Sequence, residues 1–117
     1  MKLITSLLIL ALSTSSLASG YLVTLGSGVT IDKIHAHGNG AITLWVNPAS
    51  LSNPDGCGGT DKVHIKAVGN YQTIVSVALT AYTANKKLGL WSTGCEIIPF
   101  WGGSTTFPIV NNVWITD

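Results

Sequence analysis

Arginine is missing from the 117-residue chain, and acid is scarce: Asp32, Asp55, Asp61, Glu96 and Asp117 are the whole supply. Six lysines are the only permanent cations, so the formal net charge is +1 at pH 7. A nucleic-acid binder carries a basic stripe with guanidinium forks for phosphate, and a membrane-surface protein carries clustered basic residues. Neither pattern exists, so no nucleic-acid partner is expected. Past Leu12 no apolar run approaches the roughly 20 residues that a transmembrane helix needs, so no membrane span is expected either. Cysteine is limited to Cys57 and Cys95, with no C-x-x-C redox spacing, and no G-x-S-x-G nucleophile signature occurs. Asp55 and Asp61 lie in and after "NPDG", a turn whose proline and spacing do not fit an EF-hand calcium loop. On these grounds no catalytic residue and no cofactor is assigned, and the reading is non-enzymatic.

What is present begins with Lys2, a mostly apolar run from Leu3 to Leu12, and small or polar residues through Gly20. That pattern predicts a signal peptide over residues 1–18, with cleavage near Ala18 or Gly20, and hence a secreted or periplasmic protein. Residues 19–117 are the size of one small domain. In an oxidising compartment Cys57 and Cys95 are expected to pair as a disulfide.

Val29 to His37 and Ala41 to Val46 are β-rich runs around Gly38, Asn39 and Gly40, which predicts a hairpin. A loop of those residues pairs His37 with Ala41, Ala36 with Ile42, His35 with Thr43, Ile34 with Leu44 and Lys33 with Trp45. Apolar then meets apolar on one face, whereas a one-residue slip would turn the histidines into the core. Val29 and Ile31 share the parity of Lys33 and His35, so the strand must change its buried side near Asp32, and a bulge is expected there. Asp61 to Val68 alternates again, with Val63, Ile65 and Ala67 on one side and His64 and Lys66 on the other. Asn70 is placed to cap a helix from Tyr71 to about Asn85, whose Ile74, Val75, Ala78, Leu79, Ala81 and Tyr82 form one apolar face. Lys87 to Ser92 reads as a fourth strand with Trp91 outward, and Ile109 to Thr116 as a fifth.

This order predicts a mainly β protein: a small five-stranded OB-type barrel with one helix between strands three and four. An open α+β sheet with one helix packed on it is the alternative. In the barrel, the loops after strands two and four lie at the same end, which brings Cys57 and Cys95 within disulfide reach.

His35 and His37 point to one side of their strand, and two imidazoles can share a metal. A catalytic zinc needs about three protein ligands, however, and His64 lies two strand spacings away, roughly 10 Å. No metal site is assigned. The outward face of the first three strands carries Lys33, His35, His37, Thr43, Trp45, His64 and Lys66. An outward tryptophan is costly unless Lys33, a ligand or another subunit covers it. Aromatic rings framed by hydrogen-bonding groups suit sugars, and in OB-type barrels this face binds oligonucleotides or oligosaccharides. With no basic stripe, the sugar is favoured, and Trp45, Lys33, His35, Thr43, His64 and Lys66 are the candidate ligand-binding residues. In "EIIPFWGGSTTF", Phe100 and Trp101 form either a hydrophobic plug over the barrel mouth or a binding or oligomer contact.

The stretches "NPDGC", "ALTAYTANKKLGLWSTGC" and "FPIVNNVWI" resemble small exported bacterial proteins of unassigned role. More distantly, the helix, "KKLGLW" and "PIV" are similar to B subunits of pentameric toxins of the pertussis, subtilase-cytotoxin and typhoid type. That resemblance spans Ile31 to Ile115 and implies an OB-type barrel, a homo-oligomeric ring, a toxin A subunit as partner and host glycans as ligands. None of the toxin subunits' sugar-binding residues maps position by position onto this sequence. Two other readings follow from the residues: a cell-envelope interaction or structural component using Trp91, Trp101 or Trp114, and a metal-dependent enzyme centred on His35 and His37.

Overall fold

A computed structural model describes residues 19–24 and 26–116, and the expected signal peptide lies outside the described residues. Six strands and one helix follow in the order β1 (Gly20–Tyr21), β2 (Thr30–Ala36), β3 (Ile42–Asn47), β4 (Lys62–Ile65), α1 (Tyr71–Thr83), β5 (Lys87–Ile97) and β6 (Thr106–Thr116). The histidine hairpin has the predicted register: Lys33 opposes Trp45, His35 opposes Thr43, and the His37 amide donates to the Ala41 carbonyl at 2.8 Å. A register shift between Ile31 and Lys33 supplies the bulge near Asp32. It lets Val29 and Ile31 face the core while Lys33 and His35 face outward.

The strands form one mixed sheet in the order β1-β5-β6-β4-β3-β2, antiparallel except where β4 runs parallel to β6 at His64 and Ile109. The protein is therefore mainly β, with its helix between β4 and β5, but the sheet is not a closed five-stranded barrel. Two causes account for the difference. The edge of β5 away from β6 is taken largely by β1 and the residue after it: Gly20 pairs with Ser92, Tyr21 with Trp91, and the Leu22 amide donates to the Leu90 carbonyl. β2 reaches that same edge only through the residue before it, Val29, which exchanges amide-to-carbonyl bonds of 2.9 and 2.8 Å with Leu88. The added strand, β1, has only two residues and no alternation of its own to reveal it.

Other boundaries move for local reasons. The helix stops at Thr83, and Asn85 turns left-handed at φ 56°, a conformation asparagine tolerates. Asn70 holds the N-cap position without a side-chain cap bond. β5 and β6 extend past the predicted Ser92 and Ile109, pairing Cys95 with Pro108 and Ile97 with Thr106, because one register shift before Ser92 passes over Asn111 and a second after it sets Thr93 and Gly94 against Ile109. The core lies between the inner side of the sheet and α1. Leu44, Val63, Leu88 and Leu90 are wholly buried, as are the helix alanines Ala78 and Ala81, whose small side chains let the helix approach closely. Each buried leucine contributes about 1.5–3 kcal/mol over leaving it exposed. The disulfide joins Cys57 to Cys95 with their α-carbons 5.4 Å apart, tying the loop after β3 to the far half of β5.

Candidate functional site

Alternation across the β2–β3 register and the β3–β4 register, in which Thr43 opposes His64 and Trp45 opposes Lys62, puts every histidine of the chain on one outer face. Its centre is Thr43, which is fully buried. The Thr43 hydroxyl lies 2.7 Å from His37 Nε2 and 2.8 Å from His64 Nδ1. The hydroxyl has one proton and can donate to only one ring, so at least one of the two imidazoles presents its own N–H to the shared oxygen. The His37 and His64 ring centres are 5.2 Å apart. This corrects the separation expected from strand spacing, because that spacing fixes backbones while long side chains lean together across a short one. His64 is also buried, at 6% exposure. That burial, with His37 and Lys66 nearby and only partly opposed by Glu96, lowers its pKa to about 4. His37 is lowered too, by burial and by the proximity of His35.

The centre of the face is buried because something lies on it. Since β5 and β6 run on beyond the sheet, the loop between them folds back as a roof, and Phe100 and Trp101 meet the histidines edge to face. His35 lies 4.6 Å from Phe100 and 5.0 Å from Trp101 between ring centres, and it stacks on His37 at 4.3 Å. Trp101 continues to Trp45 at 5.3 Å. The loop thus lies over an outer sheet face and does not plug a barrel mouth, and the centre of the predicted outward face, at Thr43 and His64, is covered.

Beside the roof a cleft of about 300 Å³ remains, walled by Trp45, Trp101 and Phe107 with Lys62, Ile98 and Thr105 between them. Lys33 Nζ sits 4.5 Å from the Trp45 ring centre, and Lys62 Nζ sits 4.1 Å from Phe107 and 5.4 Å from Trp45. Lys62 also pairs with Asp61 at 3.2 Å. The cleft is therefore aromatic-walled with ammonium groups at its rim.

Of the six sequence-predicted residues, Trp45 lines the cleft, Lys33 stands against it, and His35 holds the roof. Thr43 lies beneath the roof with no exposure, and His64, nearly buried, reaches only the lining of two smaller cavities of about 200 and 220 Å³ away from the cleft. Lys66 stands apart, paired with Glu96 at 2.7 Å near a separate cavity of about 330 Å³ beside α1. Lys62, Ile98, Thr105 and Phe107 escaped the sequence reading. Lys62 has the same parity as His64 and was findable, whereas Phe107 was hidden by Pro108, which reads as a strand break. Among the described residues no group of three or more His, Cys, Asp or Glu side chains is placed to hold a metal ion. No protein-family model, no curated protein and no solved structure matches the chain.

Proposed function

We propose that the protein is a secreted or periplasmic, non-enzymatic binding module whose ligand is a glycan seated in the cleft between Trp45, Trp101 and Phe107. The observation that carries this reading is the cleft itself: about 300 Å³ with three aromatic walls and lysine and threonine at its edge. A sugar presents apolar C–H faces and a polar rim, the complement of such a lining. The disulfide fits an oxidising compartment. The pairing pattern, with β4 parallel to β6 and Val29 bridged to Leu88, supports an OB-type relationship, in which the sheet face around strands two and three is the usual ligand surface. The resemblance to toxin B subunits extends the proposal to a homo-oligomeric ring and a toxin A subunit as partner.

A glycan array probed with the labelled protein, followed by calorimetric titration of the bound sugar, tests the reading. Trp101→Ala is expected to weaken binding about tenfold. An array on which no sugar retains the protein overturns it. Light scattering tests the ring separately, since a monomer at working concentration removes that extension.

One observation favours the second reading, a cell-envelope interaction component. Phe100 is 65% exposed, Trp101 44% and Ile97 41%, so the roof presents apolar surface outward. Trp91 and Trp114, the other tryptophans considered for that role, are only half-exposed and pack against Tyr21. Pull-down from envelope extract that depends on Phe100 and Trp101 supports this reading, and recovery unchanged by Phe100→Ser with Trp101→Ser overturns it.

A further inference from the structure

At the other end of the strand order the sheet carries a second aromatic group. Register puts Tyr21 opposite Trp91, Trp91 opposite Asn112 and Gly89 opposite Trp114, so all of these stand on one outer face of β1, β5 and β6. The Tyr21 ring is perpendicular to both indoles, with centres 4.8 Å from Trp91 and 5.8 Å from Trp114. Trp114 lies across Gly89: a Cβ there would meet Cε2, Nε1 and Cζ2 at 2.0, 2.2 and 2.5 Å. Glycine is what lets the indole settle on the backbone, turning a side chain that would stand up from the sheet into a low floor. Tyr21, 43% exposed, stands beside that floor as a wall, and exposed Asn112, whose Nδ2 donates to Asn111 Oδ1 at 3.0 Å, places an amide with a carbonyl oxygen to spare at its margin.

We propose that Tyr21, Trp91 and Trp114, with Asn112, form a second carbohydrate site, a stacking platform for one hexopyranose ring. The proposal rests on the reading of the chain as a glycan-binding module and makes a single chain bivalent. Size selects the ligand class. Three part-buried rings of roughly 150–250 Å² each expose far less than the about 800 Å² per partner that a stable protein interface buries. A pyranose needs no more than one flat ring under its C–H face, an upright ring at its side and an amide for its hydroxyls, and these are the parts in place. The two sites lie at opposite ends of the strand order on the outer side of the sheet, so they take separate sugars, and a multivalent glycan surface would be held by both at once.

The test is titration of the ¹⁵N-labelled, oxidised protein with methyl β-D-galactopyranoside and with methyl β-D-glucopyranoside. The four indole N–H signals are the readout, each assigned by its own Trp→Phe variant. The expected result is that the Trp91 and Trp114 signals move with saturation. Tyr21→Ala or Asn112→Ala should then weaken that isotherm about fivefold while leaving movement at Trp45 and Trp101 unchanged. Movement confined to Trp45 and Trp101 overturns the second site and leaves the cleft standing. Movement confined to Trp91 and Trp114 supports the platform and removes the cleft. Stillness of all four overturns both, and movement at Trp91 and Trp114 that neither variant weakens overturns the platform as a defined site.

Discussion

On the β2–β3–β4 face Phe107 rests on Gly59, where a Cβ would come within 2.5 Å of the ring, and on the β1–β5–β6 face Trp114 rests on Gly89. The two faces share that device and then diverge. The first is roofed by the β5–β6 loop, and beneath the roof His37, Thr43 and His64 satisfy one another. The second has no long loop to spare, because β5 and β6 pair continuously from Lys87 to Trp91, and its polar residues, Asn112 and Lys87, stay exposed, Asn112 bonding only to its neighbour Asn111. Covering a sheet face strips water from whatever polar groups it carries, and each must then find a partner inside. The histidine relay is thus the consequence of the roof, and the open face needs none.

The largest expected effect on this contrast comes from the bridge at the root of the roof. Replacing Cys57 and Cys95 by serine is expected to cost about 4 kcal/mol in urea denaturation, from the chain entropy released in a loop of sequence separation 38. In the folded fraction the Trp45 and Trp101 indole signals should shift while those of Trp91 and Trp114 hold. Equal shifts at all four would erase the distinction between a tethered face and an independent one.

Acid acts next, and on one face. His64 has a folded pKa of about 4 against 6.5 for the free side chain, so between those values the unfolded chain binds the extra proton. Stability is therefore full above about pH 6.5 and falls as pH drops toward 4, by up to about 3 kcal/mol from this residue. His37, shifted the same way, adds to the slope. Denaturation midpoints measured across that window should flatten in His64→Gln, and an unchanged slope would remove His64 from the account.

The hairpin register, the bulge near Asp32, the disulfide and the helix were all legible, because each rests on a local rule: alternation, parity, compartment or helical spacing. What escaped has a common cause. Strand ends at Ile97 and Thr106 depend on two bulges around Ser92, and neither Gly94 nor Pro108 signals that pairing resumes beyond it. The roof follows from those extra residues, so the burial of Thr43 and His64 could not be read from strands that are, by pattern alone, half-exposed. Trp45 was recognised as an outward ring needing a cover. Apart from Lys62, the residues that complete its cleft, Ile98, Thr105 and Phe107, lie at or beside the ends of β5 and β6, which the local pattern does not mark.

Gly89→Ala tests the open face directly. Its Cβ would sit 2.0 Å from the Trp114 indole, so the ring must lift or the strands must part, at a cost of about 1–3 kcal/mol, with Trp114 more exposed to fluorescence quenchers. Gly59→Ala meets Phe107 at 2.5 Å and should cost less, since only one ring edge needs to turn. An Ala variant at Gly89 as stable as the parent, with quenching unchanged, would mean that the indole does not lie on the strand.

The smallest effect separates the two lysines of the cleft. Lys33 is exposed and sits over Trp45 alone, whereas the Lys62 side chain is only 14% exposed and lies between two rings, 4.1 Å from Phe107 and 5.4 Å from Trp45. Methionine keeps most of either stem and removes the charge. Lys33→Met should cost about 0.5–1 kcal/mol, shrinking with added salt, because water screens an exposed cation over a ring. Lys62→Met should cost about 1–2 kcal/mol with little dependence on salt, because its cation is largely withdrawn from solvent and its partner Asp61 is free to hydrate once released. Equal losses with equal salt dependence would show that Lys62 draws no benefit from the covered setting, and the roofed face would then owe its order to apolar packing and the histidine relay alone.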